Sequence, residues 1–253
     1  VSICYKHKTN YTTNNKPKYK DTLKKSMKQY ILLFAAAILM VSQASCQSKK
    51  DTTKQEALVK AQQSKIPIQV APVNGMERAY FASGCFWCVE AVYESLNGVK
   101  ESISGYSGGH TQNPTYASSN TGKTGHAEAV EIIYNPKQIT FSDLVDVYFG
   151  SQNISQVNGQ GPDRGSQYRS IIFYQNQVQK DIITRKITTL EKELGVGNVA
   201  AQVLPFEKFW KGEGYHQNYE RLNPGNRYIQ NVSIPRLKKF QDKFPALLKT
   251  QLH

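Results

Sequence analysis

At 253 residues, with 39% hydrophobic and 11% aromatic side chains, the chain is long and apolar enough to bury one substantial core, which excludes a wholly disordered protein. Its formal net charge of +13 lies mostly in residues 1–50, which contribute +9 and leave only +4 to the other 203 residues, so the charge does not indicate a nucleic-acid partner. The four cysteines are too few for a disulfide framework in a chain of this length.

The N-terminal region resembles an export signal rather than part of a fold. Residues 1–26 are polar and lack periodicity, which favours a disordered leader, and Met27 is a candidate for the true translation start. A short basic segment, an apolar run over residues 31–41 and a pair of small residues follow in the order of a secretion signal. The apolar run is too short to span a bilayer as a helix. We therefore expect residues 1–46 to be a leader and signal segment.

Cys46 follows the small residues directly, as in a bacterial lipobox, and is the candidate site of lipidation. Gln43 departs from that pattern because an aliphatic residue is usual there, which leaves plain secretion with a free thiol as the alternative. The protein is expected to leave the bacterial cytoplasm, either as a membrane-anchored lipoprotein or as a periplasmic or secreted protein. Residues 47–75, rich in Lys, Gln and Ser, are expected to form a linker to a folded domain over residues 76–253.

Hydrophobic periodicity predicts interleaved strands and helices within this domain. The predicted strands are 78–82, 99–106, 128–134, 168–174 and 199–204, and the predicted helices are 85–96, 141–148, 177–194, 216–222 and 234–244. Two irregular stretches, residues 107–125 and 150–165, interrupt the pattern, and long loops inside compact domains commonly carry function. Because no dinucleotide-binding glycine signature accompanies the alternation, we predict an α+β fold, a two-layer sandwich of ferredoxin-like type with a mixed or antiparallel sheet.

Cys85 and Cys88 lie where a predicted strand meets a predicted helix. At a helix N-terminus, unpaired backbone N–H groups and the helix dipole lower a thiol pKa, so Cys85 is expected to be a reactive thiolate. Cys88 lies three residues further on, on the same helical face and within disulfide reach. Phe86 and Trp87 add apolar surface beside the nucleophile, which suits a substrate with a small apolar group next to its polar centre.

A Cys-x-x-Cys pair alone leaves several interpretations open. A structural zinc site needs two further ligands, but there is no second cysteine pair and the five histidines lack ligand spacing, so no metal is expected. The two cysteines could also be inert buried residues. A redox site is favoured, and one candidate is a general dithiol–disulfide oxidoreductase of thioredoxin type. A surface lipoprotein that binds peptides through exposed aromatic side chains is a further candidate from a different class.

Five segments in order resemble motifs of the peptide methionine sulfoxide reductase A family. They are Gly84-Cys-Phe-Trp87 with Glu90, residues 105–116, residues 124–128, residues 161–169 and residues 215–219. The resemblance implies a catalytic domain that reduces methionine-S-sulfoxide, free or in oxidised proteins, to methionine. It implies no metal or organic cofactor, and an external reductant that is thioredoxin or a similar donor. We also expect a monomer that binds no nucleic acid.

The resemblance implies that Cys85 attacks the sulfoxide sulfur and becomes a sulfenic acid, while Phe86 and Trp87 hold the substrate methyl group. Many family members carry Gly where this chain has Cys88, and recycle through cysteines near the C-terminus. This sequence has no cysteine after Cys88. Unless an outside thiol intervenes, Cys88 is therefore expected to be the resolving thiol, which forms a Cys85–Cys88 disulfide that thioredoxin then reduces.

Four further residues take roles from the same resemblance. Glu128 matches the acid that protonates the sulfoxide oxygen, with hydrogen bonds from Tyr116 and Tyr168 in support. Asp163 matches a residue that organises the site and its water. Sulfoxide oxygen is a poor leaving group until it is protonated, so a carboxyl kept neutral by an apolar site is the natural donor.

Overall fold

The computed structural model describes residues 65–250, and a six-stranded mixed sheet forms the centre of this part of the chain. The strands are β1 (Glu77–Ala82), β2 (Val99–Ser107), β3 (Ala127–Tyr134), β4 (Gly159–Gln160), β5 (Asp163–Arg164), β6 (Ile171–Tyr174), β7 (Gln202–Pro205) and β8 (Phe209–Lys211). The helices are α1 (Phe86–Glu94), α2 (Tyr116–Ser119), α3 (Phe141–Gly150), α4 (Gln177–Leu194), α5 (Tyr219–Leu222) and α6 (Ile234–Lys243).

The six strands of the main sheet lie in the order β7-β6-β1-β3-β2-β8, while β4 and β5 pair with each other as a small hairpin. Only β6 and β7 run parallel, and the other neighbours in the sheet run antiparallel. Helices therefore accompany a mostly antiparallel sheet, which confirms the predicted α+β class and the mixed sheet.

Side-chain alternation along the strands gives the sheet two buried faces. Ala79 and Phe81 of β1 enter the larger core cluster, which contains the buried residues of α1, α3, α4 and α6. Tyr80 and Ala82 point to the other face and join a smaller cluster. The last four residues of β1 are thus buried, and the turn that follows β1 is held inside the domain.

The segment before β1 lies against this smaller cluster. The Ile68 N–H donates to the Phe206 carbonyl at 2.7 Å, and the Val70 N–H donates to the Gln175 side chain at 2.8 Å. The described end of the predicted linker is therefore bound to the domain. The predicted leader, signal segment and remaining linker fall on residues 1–64, outside the described residues, and no helix of residues 65–250 is long and apolar enough to cross a membrane.

Several predicted boundaries were wrong where the backbone changes direction. Helix α1 begins at Phe86 rather than Cys85, because Cys85 has ψ of 124° and lies outside the helix as its N-cap. The predicted strand 168–174 begins only at Ile171, since a 3₁₀ turn occupies Ser166–Tyr168. The predicted helix 216–222 is divided, because Asn218 has φ of +55° between a 3₁₀ turn and α5.

The turn between β1 and α1 depends on Gly84, whose φ of +82° lies in the region that favours glycine. An added Cβ at Gly84 would lie 2.5 Å from the Cβ of Gln160. We therefore expect Gly84→Ala to lower the free energy of unfolding by about 2–4 kcal/mol, the sum of backbone strain and overpacking. Urea denaturation followed by circular dichroism measures this loss.

Gly161→Ala is the matched control for this prediction. Gly161 has φ of +58° but no heavy atom within 4 Å of an added Cβ. Its substitution is expected to cost only the backbone strain, so a loss as large as that of Gly84→Ala would contradict the role of the Gln160 contact.

Candidate active site

Cys85 lies buried at the start of α1, with 6% of its surface exposed. Burial raises the pKa of the Cys85 thiol well above its ordinary value, and its hydrogen bond with Cys88 and the charge of Glu128 act in the same direction. The expected lowering of the Cys85 pKa by the helix N-terminus was therefore wrong. The free energy needed to transfer a thiolate from water into the domain exceeds the free energy that the thiolate gains from the partial charges at the N-terminus of one short helix.

The pKa of the second thiol, Cys88, moves in the opposite direction. A hydrogen bond from Cys85 lowers the pKa of Cys88 to about 7, against the effect of burial and with help from the positive charge of Arg236. Both cysteines are free thiols. Because the two thiols share a hydrogen bond, a proton can move from Cys85 to Cys88 without an outside base. Residues 65–250 contain no group of three or more His, Cys, Asp or Glu placed to hold a metal ion.

Glu128 comes from β3 and is 2% exposed. Its Oε2 accepts the Phe86 N–H at 3.0 Å, which places the carboxyl beside the first residue of α1 and next to Cys85. Burial raises the pKa of Glu128 to about 8, and the charges of Asp163 and Cys88 add to that increase. The carboxyl therefore keeps its proton at neutral pH, as a general acid must.

The two predicted tyrosines lie around the same carboxyl. Tyr116 begins α2, and its ring stacks on Phe86 with 6.3 Å between centroids. Tyr168 ends the 3₁₀ turn before β6. Burial, followed by the charge of Glu128, raises the pKa of Tyr168, and burial likewise raises that of Tyr116. Both hydroxyls therefore stay protonated and are able to donate hydrogen bonds.

Phe86 and Trp87 lie in a cluster of aromatic rings. Phe86 is 1% exposed and packs against His216 at 4.8 Å between centroids. Trp87 is half-buried, stacks on Tyr219 at 3.8 Å, and donates its indole N–H to Nδ1 of His216 at 3.1 Å. The cluster joins α1 to His216 and to the first residue of α5, and gives the site an apolar wall.

Glu90, the last residue of the cysteine motif, holds that segment in place. It is 2% exposed and accepts hydrogen bonds from the Ser104 hydroxyl and from the Asn218 N–H. Burial raises the pKa of Glu90 to about 7. Through Asn218, Glu90 positions the start of α5 and hence the ring of Tyr219 on Trp87.

Sequence patterns did not indicate Tyr228, which connects two predicted site residues. Its hydroxyl donates to Oδ2 of Asp163 at 2.6 Å and lies 3.7 Å from Sγ of Cys88. Asp163 itself begins β5. Tyr228 is 140 positions from Cys88 along the chain, so no local pattern relates them. The only sequence signal is a turn-rich Asn-Pro-Gly-Asn segment, residues 223–226, just before it.

The structure thus brings together all the site residues predicted from residues 65–250, whereas Cys46 lies outside them. The predicted set around Cys85 consists of Phe86, Trp87, Cys88, Tyr116, Glu128, Asp163 and Tyr168. The pKa of Tyr168 reflects how close these residues lie to one another. Burial is the largest cause of its increase, and the charges of Glu128, Asp163 and Cys85 raise it further. A thiol pair, a protonated carboxyl and two hydroxyl donors around an apolar wall can reduce a small polar group attached to an apolar one.

Known proteins resemble the chain over the whole of this domain. Residues 77–247 match the family model described as peptide methionine sulfoxide reductase. The chain is 42% identical over 173 residues to peptide methionine sulfoxide reductase MsrA of Pasteurella multocida, covering 68% of this chain and 99% of that protein. It is 44% identical over 165 residues to the MsrA of Nautilia profundicola, covering 65% of this chain and 94% of that protein.

Solved structures agree with the sequence relatives. Mxr1 from Saccharomyces cerevisiae in reduced form is similar with a TM-score of 0.57 and 30% identity, over 62% of this chain and 91% of that one. Methionine sulfoxide reductase A of Corynebacterium diphtheriae is similar with a TM-score of 0.54 and 29% identity, over 64% of this chain and 87% of that one. With a family model that matches most of the described residues, this chain belongs to the peptide methionine sulfoxide reductase family.

Proposed function

We propose that this peptide-methionine (S)-S-oxide reductase uses Cys85 as nucleophile and Glu128 as acid, without a metal or organic cofactor. The observation that carries the assignment is the hydrogen bond from the Phe86 N–H to Glu128, which places a protonated carboxyl beside the cysteine. Its substrates are methionine-S-sulfoxide in oxidised proteins or as the free amino acid.

In the first step Cys85 passes its proton to Cys88 and attacks the substrate sulfur. This attack forms a transient bond between the Cys85 sulfur and the substrate sulfur while Glu128 gives its proton to the sulfoxide oxygen. The S–S bond and the substrate S–O bond then break as the hydroxyl group passes to the Cys85 sulfur. Methionine leaves with its sulfur reduced by two electrons, and Cys85 remains as a sulfenic acid, oxidised by two. Tyr116 and Tyr168 donate hydrogen bonds to the oxygen while the charge moves.

Phe86 and Trp87 hold the methyl group of the substrate against the aromatic cluster. Because Phe86 is fully buried and Trp87 half-buried, Phe86 forms the floor of the apolar wall and Trp87 its accessible edge. Asp163 acts through Tyr228, which links it to the cysteine pair.

In the second step Cys88 attacks the Cys85 sulfenic acid. A Cys85–Cys88 disulfide forms and the oxygen leaves as water. A thioredoxin-like reductant then returns both thiols, and the enzyme acts as a monomer. The hydrogen bond between the two thiols supports this pairing.

One assay tests the function against its alternatives. The full-length protein is incubated with the separate dabsylated methionine sulfoxide diastereomers and dithiothreitol, with Cys85→Ser as control. We expect loss of the S form alone, and none with the control. Insulin reduction without sulfoxide turnover would instead identify a general dithiol–disulfide oxidoreductase, and neither activity would leave a peptide-binding lipoprotein.

We also propose that the protein is exported and anchored through a lipid on Cys46. The order of basic, apolar and small residues before Cys46 supports the proposal. Intact-mass analysis of the protein from membrane fractions tests it, and an unmodified Cys46 thiol on a soluble exported protein would refute the anchor.

We propose in addition that the domain is of ferredoxin-like type. The order β6-β1-β3-β2, with α1 between β1 and β2, supports a split β-α-β arrangement. Strands β7 and β8 then extend the two edges of that core.

A further inference from the structure

Two hydroxyl groups reach Cys88 from a single π-helical turn. Residues Ile229–Ser233 form this turn just before α6. In a π-helix the hydrogen bonds join residues five apart, so Tyr228 and Ser233 lie on the same side of the turn. Tyr228 Oη lies 3.7 Å from Cys88 Sγ, and Ser233 shares a hydrogen bond with the same thiol. The turn therefore presents both hydroxyls to the second cysteine of the pair.

Ser233 connects Cys88 to a carboxyl group. Its side chain is fully buried, and its hydroxyl donates to Oε2 of Glu220 in α5. A serine hydroxyl carries one proton and two lone pairs, so Ser233 can accept the Cys88 proton while it donates its own to Glu220. Burial raises the pKa of Glu220, which makes its carboxylate a stronger base than one in water.

Glu220 also has a route for the proton to leave. It is only half-buried and lines an open groove that Glu94 and Trp87 share. The proton can therefore pass from the buried thiol to the surface in two transfers, Cys88 to Ser233 and Ser233 to Glu220.

Several other charged or titratable groups lie near Cys88, and none of them is part of the route through Ser233 and Glu220. Cys85 is the N-cap of its own helix, β3 carries Glu128, and Asp163 acts through the bonded Tyr228. Arg236 of α6 supplies positive charge, while its guanidinium is bound to the Ser83 carbonyl and hydroxyl and to the Ser151 carbonyl. Arg236 stabilises the thiolate, but its guanidinium has only N–H donors and no acceptor for a proton.

We propose that Ser233 and Glu220 form a proton relay that deprotonates Cys88 for its attack on the Cys85 sulfenic acid. The relay rests on the proposed function, in which Cys88 is the resolving thiol. The Cys88 proton moves to Ser233 and the Ser233 proton to Glu220, after which the Cys88 sulfur bonds to the Cys85 sulfur. The Cys85 S–O bond breaks, and Glu128, which has regained a proton from solvent, completes the departing water. Ser233 contacts the reacting sulfur, whereas Glu220 acts through Ser233 as a positioning residue.

Glu220→Gln tests the relay, because the amide oxygen still accepts from Ser233 but is not a base. The reduced full-length enzyme is mixed with one equivalent of methionine-S-sulfoxide and quenched in acid at intervals. Released methionine and intact mass are measured, since the disulfide is lighter than the sulfenic acid by one water. We expect methionine release at the wild-type rate. Once Cys85 is a sulfenic acid, its thiol no longer donates the hydrogen bond that lowers the pKa of Cys88, so disulfide formation should slow on the order of tenfold or more at neutral pH. The rate should recover at alkaline pH, where Cys88 ionises without the relay.

Ser233→Ala is expected to slow the same step, and circular dichroism verifies that both variants are folded. Glu94→Gln, in the same groove but outside the relay, should leave both steps unchanged. Wild-type rates of disulfide formation at every pH in both relay variants would overturn the proposal. Absence of methionine release by the wild type would instead overturn the proposed function, and methionine release that ends at the sulfenic acid would overturn the role of Cys88 and the relay together.

Discussion

Replacing Glu128 by glutamine is expected to slow methionine sulfoxide reduction by about 10²–10⁴-fold in a single turnover, which is the usual contribution of a general acid. Glutamine has nearly the same size and can still accept the Phe86 N–H that Glu128 accepts at 3.0 Å. Its amide cannot protonate the sulfoxide oxygen, so the variant should keep the geometry of the site but lose the acid catalysis. Rapid-quench measurement of released methionine determines the loss.

The rate in the same experiment should depend on pH in a direction that the pKa of Glu128 determines. The wild-type carboxyl is protonated below its pKa of about 8 and ionised above it, so the rate should fall as the pH rises through about 8. It should also fall below about pH 7, where Cys88 takes up a proton and the pair loses its negative charge. Glu128→Gln should lose the alkaline decline alone.

Glu131→Gln is the matched control on the same strand. Glu131 pairs with Arg78 and accepts the Tyr80 hydroxyl, so its loss should leave the rate and the pH profile unchanged. A Glu128→Gln enzyme that kept both the wild-type rate and the alkaline decline would exclude Glu128 as the acid.

Cys88→Ser is expected to complete one turnover and then stop. Serine fits the space beside Tyr228, but it cannot form a disulfide with the Cys85 sulfenic acid. One methionine per enzyme should be released, more slowly at neutral pH because the hydroxyl takes the Cys85 proton less readily than a thiolate does. Turnover with thioredoxin should fall to background, because the sequence has no cysteine after Cys88 to replace it.

Two measurements establish the cause of that arrest. Dimedone should label Cys85 in the arrested Cys88→Ser enzyme, since the sulfenic acid accumulates. Dithiothreitol should restore partial turnover, because a small thiol can attack the sulfenic acid directly, whereas Cys85→Ser should release no methionine under any condition. Full multiple turnover of Cys88→Ser with thioredoxin would refute Cys88 as the resolving thiol.

Local patterns were sufficient for the centre of the fold but not for its edges. Strand β3 was predicted from the alternation of residues 128–134, because a strand that buries one face more completely than the other alternates regularly. Strand β8 was missed, because three residues are too few to show a period and its pairing with β2 is a long-range contact. The division of the predicted helix 216–222 at Asn218 depends on Glu90, which lies 128 residues away.

The candidate site divides in the same way. Residues within contiguous motifs, such as Cys85 and Glu128, were identified because each motif preserves a short run of sequence. Tyr228, Ser233 and Glu220 were not, since folding alone brings them to Cys88. The direction of the Cys85 pKa was also beyond a local argument. The helix N-terminus is visible in the sequence, but the burial that outweighs it is a property of the whole domain.

The burial of the two thiols has a consequence for chemical selectivity. Cys85 is 6% exposed and Cys88 is 2% exposed, and burial keeps the Cys85 sulfur in its protonated form. Dissolved peroxides and alkylating agents react with thiolates much faster than with thiols, so they attack the protonated Cys85 of the resting enzyme only slowly. In the proposed mechanism, a methionine sulfoxide that packs against the aromatic wall places its oxygen beside Glu128, where it can be protonated and reduced. The reactive sulfur is thereby shielded from the same oxidants that generate its substrate.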